Sequence, residues 1–546
     1  MGKGLDIDDL SVVYKSQESG YEVVAIDGIN LHIPANEFVC IVGRSGCGKT
    51  TLLNTIDGSV DASSGSVRID GVPVNGPGPD RAMVFQQASL FPWRTARQNA
   101  AYGLELQGAE AADVDKRISD LFSVVGLSGY ESYYPSQLSG GMQQRVNLAR
   151  ALALDPEIIL LDEPFGALDA QTREFMQSEL TRIWQANPKT AIFITHDIAE
   201  AIFLADRVIV LSSRPGRVKA DIRIDLPRPR TIQSKRAREF AAYEEDIWSL
   251  LHDQPRQPAT ESVEGQSPAP VAVTTKPAPS GPPPRRVTAN SFHAAREGMR
   301  RLVLGTLSVA TALALWEIAA RLGWINAAFS SSPSQIARAA IMLMGSATFW
   351  ADVGVSALEL GIGFGISAVL GIILGILTGW YKTFDAILAP FVSGLYATPR
   401  ISLAPLLIVW LGIGLMSKVA LVTLSAIFPV IMNTATGIRT TDRHFARVAR
   451  SFGANDWTLF RTVAIPAAVP HIIGGLRLGA GLGIIGVVVA ELIAGNAGIG
   501  YRMLLAGQTF QVAEMFVCLL FFTAAGMLLS FGFGLLERRF DAWRRA

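Results

Sequence analysis

The sequence has few cysteines and few charged residues for its length. Its 546 residues include three cysteines, Cys40, Cys47 and Cys518, which lie far apart. This spacing excludes a disulfide framework and a cysteine-ligated metal cluster, and it is typical of a reducing compartment. Charged residues make up 17% of the chain and the formal net charge is +1. A balance so close to neutral gives no reason to expect nucleic acid as a partner.

The first residues of the sequence also predict no export signal. Its first residues, MGKGLDIDDLSVVYKS, have no apolar core of the kind that a secretory signal peptide requires. Up to residue 253, charged residues recur every few positions, as in a soluble α/β domain. We therefore place the first domain at residues 1–253 and expect it to stay in the cytoplasm.

Large apolar side chains almost disappear between residues 254 and 298. Nine of the chain's 28 prolines fall within this segment. Such a composition cannot bury enough surface to offset its ordering entropy, which predicts a disordered, partly extended linker. A tether of this kind would raise the local concentration of one domain beside the other. A proline-rich ligand for a partner domain remains an alternative interpretation.

Long apolar runs fill residues 299–546. Three of them carry no charge over about 20 residues, enough to cross a hydrocarbon core of about 30 Å. The other three tolerate internal charges, namely Glu317, Arg400, and Arg477 with Glu491. The six predicted spans of this all-α transmembrane domain are Leu302–Ala320, Leu360–Tyr381, Ala386–Leu411, Val419–Ile438, Ile472–Ala494 and Met515–Leu536.

Polar and small residues within the spans have more than one interpretation. Intramembrane charges usually face a pathway or a partner, so Arg400 could line an anion route or reach lipid headgroups. The spacing Gly475, Gly479, Gly483 favours close helix packing.

Basic residues give an independent test of the topology. Arginines cluster before the first span, after the fourth and after the sixth. Because basic residues collect on the cytoplasmic side, all three clusters lie there only with six spans or another even count. The N-terminal domain would face the same side.

A phosphate-binding loop follows the first strongly apolar strand. Residues 38–42 read as a buried strand, and GRSGCGKT at residues 43–50 fits the pattern GxxxxGK[ST]. The glycines let backbone N–H groups curl around phosphate oxygens, Lys49 reaches the β/γ-phosphates, and Thr50 provides a hydroxyl for Mg²⁺. A helix starting at Lys49 would point its positive dipole end at the same anion.

A second apolar strand, residues 158–161, ends in the two carboxylates Asp162 and Glu163. In a protein with a phosphate loop, Asp162 would hold Mg²⁺ through water, and Glu163 would orient the attacking water toward the γ-phosphate. The two motifs together predict an ATP-binding domain that uses Mg²⁺.

The motif LSGGMQQR at residues 138–145, just before the strand that ends at Asp162, resembles the signature of the ATP-binding cassette (ABC) family. The resemblance covers about residues 5–250 and implies an α/β P-loop ABC ATPase fold. It assigns Tyr14 to adenine stacking, Asp169 to the dimer seam and His196 to the γ-phosphate. The residues it implies for catalysis are Glu163, His196 and Gln86; for Mg²⁺, Thr50, Gln86 and Asp162; and for ATP, Tyr14, Gly43, Ser45, Gly46, Gly48, Lys49, Thr50, Thr51, Ser139, Gly140, Gly141, Gln143 and Asp169.

The resemblance also implies a homodimer. In this family Ser139 and Gly141 would bind the γ-phosphate of ATP held by the phosphate loop of another subunit. One chain has one loop and one signature. A head-to-tail pair of chains would therefore complete two sites.

The membrane half resembles importer permeases. The run ARVARSFG at residues 446–453, with Pro466, is similar to their cytoplasmic coupling loop, which we place at about 439–468. The first position of that motif is usually acidic, whereas arginines surround it here. Residues 399–414, Gly475–Leu478 and Ala490–Ala494 resemble permeases of the nitrate, sulfonate and taurine uptake group, as FPW at residues 91–93 resembles their ATPases.

These resemblances predict a type I ABC importer with its ATPase and permease in one chain. They imply a bacterial cytoplasmic (inner) membrane protein that receives a small, anionic solute from an extracytoplasmic substrate-binding protein. A half-size ABC exporter would place its membrane region first, and a non-transport ABC ATPase would lack the apolar spans.

Overall fold

A computed structural model of the protein describes residues 2–15, 22–166, 168–252, 290–324 and 331–540. Within these ranges, an N-terminal α/β part is followed by a helical part. Most of the predicted linker, residues 254–289, lies outside the described residues. The structure begins the first helix of the membrane part at Asn290, within the segment 254–298 that the sequence predicts as linker.

The N-terminal part contains two sheets. The larger has the order β10-β9-β3-β8-β7-β6, and the smaller is antiparallel with the order β2-β1-β4-β5. In the larger sheet every pairing is parallel except that of β10 with β9. The strands are β1 Leu5–Lys15, β2 Glu22–Ile33, β3 Phe38–Val42, β4 Ser64–Ile69, β5 Val72–Pro73, β6 Arg81–Val84, β7 Ile158–Asp162, β8 Thr190–Thr195, β9 Arg207–Leu211 and β10 Val218–Arg223.

Helices cover the larger sheet, as the continuous burial of β3, β7 and β8 requires. Because β8 lies between β3 and β7, the carboxyl ends of these three strands meet at one edge. The phosphate loop, Asp162 and His196 follow these ends, which is where ligands bind in open α/β sheets. The helices of this part are α1 Lys49–Asp57, α2 Ala96–Leu106, α3 Ala111–Val124, α4 Gly140–Ala153, α5 Ala170–Ala186, α6 Ile198–Leu204 and α7 Arg238–His252.

The described residues of the membrane part form helices joined by short connections, with no β-strand among them. Its helices are α8 Asn290–Arg321, α9 Pro333–Met344, α10 Ala347–Trp380, α11 Lys382–Ala397, α12 Ala404–Leu411, α13 Leu415–Arg439, α14 Arg443–Ser451, α15 Asp456–Leu459, α16 Ile465–Ala494, α17 Ile499–Gln508 and α18 Val512–Phe540. A π-helical turn, Phe460–Ala464, joins α15 to α16.

Five helical segments are long and apolar enough to cross a membrane within the described residues: Val303–Arg321, α10, α13, Asp456–Ala494 and α18. The remaining predicted span, Ala386–Leu411, which is the third in the chain, is not one helix. It consists of α11 and the segment Ile401–Leu411, which meet at 93°. Pro399 accounts for the break, because a proline disfavours helix at the residue before it and donates no backbone hydrogen bond.

Contacts at opposite ends of the bundle indicate that α11 and α12 together make one crossing. Asp385 near the start of α11 pairs with Arg439 at the end of α13. Leu407 of α12 packs with Leu421 near the start of α13. The bent pair therefore runs beside α13 from one end to the other, and counted as one span it gives up to six candidate crossings among the described residues.

Small residues let the central helices pack closely. A Cβ built at Gly371 of α10 would lie 2.8 Å from the Val430 Cβ of α13, and one at Gly375 would lie 2.5 Å from the Thr434 Cβ. From the other side, a Cβ at Gly479 of α16 would lie 2.9 Å from the Ala426 carbonyl oxygen. Close packing is therefore what the glycine spacing of α16 provides, as predicted.

A buried ion pair links α10 to α13. Lys418 Nζ lies 2.8 Å from Glu359 Oε1, and the two side chains are 3% and 1% exposed. The predicted charge-free spans start one residue after each of these charges, at Leu360 and Val419. Those boundaries were wrong, because both helices begin earlier and include the pair.

We predict that Lys418→Met destabilises the protein more than the double variant Glu359→Gln/Lys418→Met. The single change leaves a buried carboxylate without its cation, which costs about 3–5 kcal/mol, whereas the double change removes both charges. The thermal unfolding midpoint of the detergent-purified protein measures this difference. Equal unfolding midpoints for the two variants would contradict a specific contribution of the Glu359–Lys418 ion pair to stability.

Candidate functional site

The phosphate loop has the backbone that its glycines predict. Gly46 and Gly48 adopt φ values of 79° and 100°. A Cβ at Gly48 would lie 2.7 Å from the Ala25 carbonyl oxygen, so only glycine fits there. Lys49 is 6% exposed and donates hydrogen bonds to the carbonyl oxygens of Gly43 at 2.8 Å and Arg44 at 3.2 Å. The loop therefore holds an ammonium group at the N-terminus of α1.

Thr50 and Asp162 bring two oxygen atoms together beside this loop. The Thr50 hydroxyl donates to Asp162 Oδ1 at 3.2 Å. Burial raises the pKa of Asp162 to about 6, while the Thr50 hydrogen bond acts to lower it. The nearby charge of Glu163 raises it further, and the positive charges of Lys49 and Arg447 oppose that rise. Asp162 is thus ionised above about pH 6.

The Glu163 carboxylate contacts two other predicted catalytic residues. Gln86 Nε2 donates to Glu163 Oε2 at 3.3 Å, and His196 Nδ1 lies 3.1 Å from the same oxygen. Glu163 itself has a φ of 41°, which is uncommon for a residue with a side chain and marks local strain. The three side chains therefore converge at the carboxyl ends of β7 and β8.

The oxygen ligands of this edge suit a magnesium ion. Hydroxyl, carboxylate and amide oxygens are hard ligands of the kind that Mg²⁺ prefers, and Thr50, Asp162 and Gln86 supply one of each. Among the described residues, no group of three or more His, Cys, Asp or Glu side chains could hold a metal by itself. A Mg²⁺ ion here would therefore need phosphate oxygens or water as further ligands.

Tyr14 lies at the edge of this site. Its hydroxyl is 3.4 Å from the Thr51 hydroxyl, and the residue is 45% exposed. Ser45 of the phosphate loop is also exposed. An exposed aromatic ring beside a phosphate loop has the chemistry for stacking on a nucleotide base, and adenine stacking stays a prediction for Tyr14.

The signature residues lie apart from the phosphate loop. Ser139 caps α4 by accepting a hydrogen bond from the Met142 N–H at 3.3 Å, and Gly140 and Gly141 form its first turn. Gln143 donates to the Pro135 and Leu138 carbonyl oxygens. In the described parts of the chain, no hydrogen bond or ion pair joins this turn to residues 43–51.

Asp169 caps another helix. Its carboxylate accepts a hydrogen bond from the Thr172 N–H at 3.1 Å, and hydrogen bonds from the side chain and the backbone of Thr172 lower the pKa of Asp169. It is exposed at the N-terminus of α5. Like Ser139, it presents a polar helix end to solvent within one chain.

The N-terminal part has a contact with the membrane part through α14, which lies in the loop predicted to couple them. Val448 is 1% exposed, Ala449 0% and Phe452 9%, and they belong to the same hydrophobic core as β3. The opposite face of α14 is rich in arginine. The apolar face therefore seats the helix on the N-terminal domain.

Two polar contacts fix this seating. Trp93 Nε1 donates to the Thr462 carbonyl oxygen at 3.2 Å, and the Tyr102 and Thr462 hydroxyls lie 3.0 Å apart. The buried guanidinium of Arg150 lies 5.7 Å from the Phe452 ring centre. Sequence reasoning noted Trp93 but missed Tyr102 and Thr462, because 360 residues separate the two and neither belongs to a local motif.

We predict that Val448→Asp releases the N-terminal domain from the membrane part. A carboxylate at this buried position would be desolvated without a partner, which costs several kcal/mol. With a protease site inserted within residues 254–289, the cleaved halves should co-purify in the parent protein and separate in the variant.

His444→Asp is the matched control for this experiment, because it places the same charge on the exposed side of α14. Equal retention of the N-terminal half in Val448→Asp and His444→Asp would contradict the docking of α14.

The other predicted intramembrane charges have partners. Glu491 is fully buried and accepts hydrogen bonds from the Ser356 hydroxyl and the Gly500 N–H, both at 2.6 Å. Arg477 lies 3.3 Å from the Ser530 hydroxyl and 3.4 Å from Glu537 of α18. These contacts make Glu491 a link between α10, α16 and α17. The side chain of Arg400 lies outside what the structure describes.

Comparison with known families matches the two parts of the chain separately. Residues 26–166 match the family model described as ABC transporter. Residues 368–546 match the model described as the binding-protein-dependent transport system inner membrane component.

Three curated relatives match just under half of the chain. An uncharacterized ABC transporter ATP-binding protein of Methanocaldococcus jannaschii is 49% identical over 46% of this chain and 92% of its own length. The nitrate import ATP-binding protein of a Synechocystis strain is 49% identical over 45% of the chain and 94% of its own length. The taurine import ATP-binding protein of Rhizobium johnstonii is 44% identical over 45% of the chain and 96% of its own length.

Proposed function

Because this chain belongs to the ABC transporter family, as an importer with its ATPase and its permease in one polypeptide, we propose that it works as a homodimer that imports a small anion. ATP hydrolysis in its N-terminal domain drives the transport. The observation that carries the proposal is the seating of α14, a helix between two membrane crossings, in the core of the ATP-binding domain.

The separation of the signature from the phosphate loop within one chain supports a dimer. ATP bound at Lys49 of one chain needs hydrogen-bond donors on the side that faces away from that chain. Ser139 is exposed and Gly141 is half-buried at the N-terminus of α4, so both are available to such a ligand. A helix N-terminus attracts phosphate through its free N–H groups and its dipole. In a head-to-tail pair, each α4 would face the phosphate loop of the partner subunit, and Asp169 would lie at the seam.

We assign the hydrolytic roles to residues that converge on the edge of the larger sheet. Lys49 binds the β/γ-phosphates, Glu163 orients the attacking water, and His196 contacts the γ-phosphate. Gln86 responds to the occupancy of this site, and it lies in the loop that also carries Trp93. Mg²⁺, held by Thr50, Asp162 and Gln86, would neutralise charge on the phosphate oxygens.

A path of contacts connects hydrolysis to the membrane helices. Thr462, just before α16, bonds to Trp93 and Tyr102. Trp93 and Gln86 belong to one connection between β6 and α2, and Gln86 bonds to Glu163. Closure of two ATP-binding domains would thus move α14 and α16, and alternating access of the bundle would follow.

The membrane topology supports a cytoplasmic ATPase. The polar segment 254–289 cannot itself cross a bilayer, so α8 enters from the side that carries the ATPase domain. Four crossings, with α11 and α12 counted as one, then return the chain to that side at α14. Arginines also collect there, as the positive-inside rule requires in the inner membrane of a bacterium.

Relatives named for nitrate and for taurine import support a small anionic or sulfonate substrate. An extracytoplasmic binding protein would deliver it, because the permease half matches a binding-protein-dependent family. Uptake into proteoliposomes tests this, with ATP enclosed and the candidate binding protein outside. ATP-dependent efflux instead would favour an exporter, and no transport in either direction would contradict the proposal.

We predict that Glu163→Gln lowers the ATP hydrolysis rate at least 100-fold and traps a dimer. Removing the carboxylate leaves ATP bound but without a group to orient water. Size-exclusion chromatography with multi-angle scattering in Mg-ATP should find two chains and two nucleotides per particle.

Glu157→Gln serves as the control for Glu163→Gln, because Glu157 forms a surface ion pair with Lys3 away from the site. It should hydrolyse ATP at the parent rate. A Glu163→Gln protein that binds no nucleotide, or binds one per particle, would contradict the assignment.

The pKa of Asp162, raised by burial to about 6, predicts how Mg²⁺ affinity depends on pH. As pH falls through 6 the carboxylate takes up a proton, and a neutral acid is a poor Mg²⁺ ligand. We expect the Mg²⁺ concentration for half-maximal hydrolysis to be constant above pH 7 and to rise about tenfold per unit well below pH 6. ATP binding measured with EDTA provides the control, and a Mg²⁺ requirement that is flat to pH 5 would contradict the role of Asp162.

A further inference from the structure

A cavity of about 770 Å³ lies where α14 meets the ATPase domain. One wall belongs to the ATPase domain and includes Tyr14, Asn54 and Ser59. The other belongs to the segment between α13 and α16. An occupant would therefore touch both functional halves of the transporter.

The permease wall of this cavity is strongly basic. Arg443, Arg447 and Arg450 are spaced by four and three residues, so they share one face of α14. The buried residues Val448 and Ala449 lie on another face and hold the helix on the ATPase domain. Because that seating fixes the orientation of α14, it also directs the three guanidinium groups along the cavity.

Among the residues that the structure describes, no carboxylate lines the cavity to balance these charges. Arg450 pairs with Asp456 at 3.3 Å, outside the lining. Arg443 and Arg447, by contrast, form no hydrogen bond or ion pair with any residue that the structure describes. Two unpaired guanidinium groups beside a third offer forked donors for the oxygens of a phosphate or sulfate group.

We propose that this interdomain cavity is a binding site for a tetrahedral oxyanion of the phosphate or sulfate class. The oxyanion binds to Arg443 and Arg447, with Arg450 adding charge from the next turn. The cavity is wider than an inorganic ion, so the same site accepts a small organic phosphate. Since its two walls belong to different domains, the bound anion bridges the contact through which hydrolysis drives transport.

The site borders the nucleotide site, since Tyr14 lines it and the charge of Arg447 acts on the Asp162 carboxylate, but it does not include the phosphate loop. It lies at Asn54 and Gly58, at the C-terminal end of α1, whereas the phosphate loop is at the N-terminal end. Tyr14 belongs to both regions, because its hydroxyl meets Thr51 and its side chain also lines the cavity. Binding there can therefore be measured after the phosphate loop has been disabled.

The test is equilibrium binding of radiolabelled sulfate, and separately of inorganic phosphate, to the full-length detergent-purified protein carrying Lys49→Ala. That background weakens anion binding at the phosphate loop. We expect saturable binding that falls at least tenfold when Arg443→Gln and Arg447→Gln are added, and that also falls with rising chloride. Competition by glycerol phosphate would identify the organic form as an occupant, and lack of competition would restrict the site to inorganic oxyanions.

Arg461→Gln is the matched control, because Arg461 is an exposed arginine of the same loop that does not line the cavity. All variants should keep the thermal unfolding midpoint of the Lys49→Ala protein. No saturable binding, or an equal loss in the Arg461→Gln protein, would overturn the proposal. Neither result bears on import itself, which the proteoliposome experiment tests separately.

Discussion

Burial of the apolar face of α14 in the ATPase domain determines how the two halves of this chain can act on each other. Val448, Ala449 and Phe452 share one core with the strands that carry the phosphate loop. Most of the free energy of this contact comes from apolar surface removed from water, at about 25 cal/mol per Å². The two hydrogen bonds to Thr462 orient the two halves more than they stabilise the contact, since a protein hydrogen bond contributes a net free energy of about 1 kcal/mol.

The central helices of the membrane bundle pack closely against one another. Glycines of α10 and α16 bring both helices into close contact with α13, and interiors packed this tightly transmit displacement instead of absorbing it. At the other end, the Glu359–Lys418 pair and the bonds of Glu491 tie α10, α13, α16 and α17 together. Buried charges of this kind favour one arrangement of helices, because any other arrangement would leave them unpaired.

The sequence predicted those features of the fold and the site that contiguous residues encode, and it missed those that depend on tertiary contacts. The family is confirmed, as is the pairing of an ABC ATPase fold with an apolar helical permease, because the phosphate loop, the signature and long apolar runs are each contiguous. Glu359 and Lys418 escaped notice because a hydropathy window discards charges at its edge, and only tertiary pairing places them inside. Tyr102 and Thr462 gave no signal, and the bend at Pro399 within the span Ala386–Leu411 was not predicted.

The central claim is that two chains complete each other's ATP sites, and mixed dimers test it most directly. One chain carries Lys49→Ala, the other carries Ser139→Arg, and the two bear different affinity tags so that the mixed dimer can be purified. Each homodimer then lacks both sites, whereas the mixed dimer keeps one, formed by the intact phosphate loop of one chain and the intact signature of the other. The account predicts ATP hydrolysis by the mixed dimer at a rate well above either homodimer. A mixed dimer as inactive as the two homodimers would contradict it.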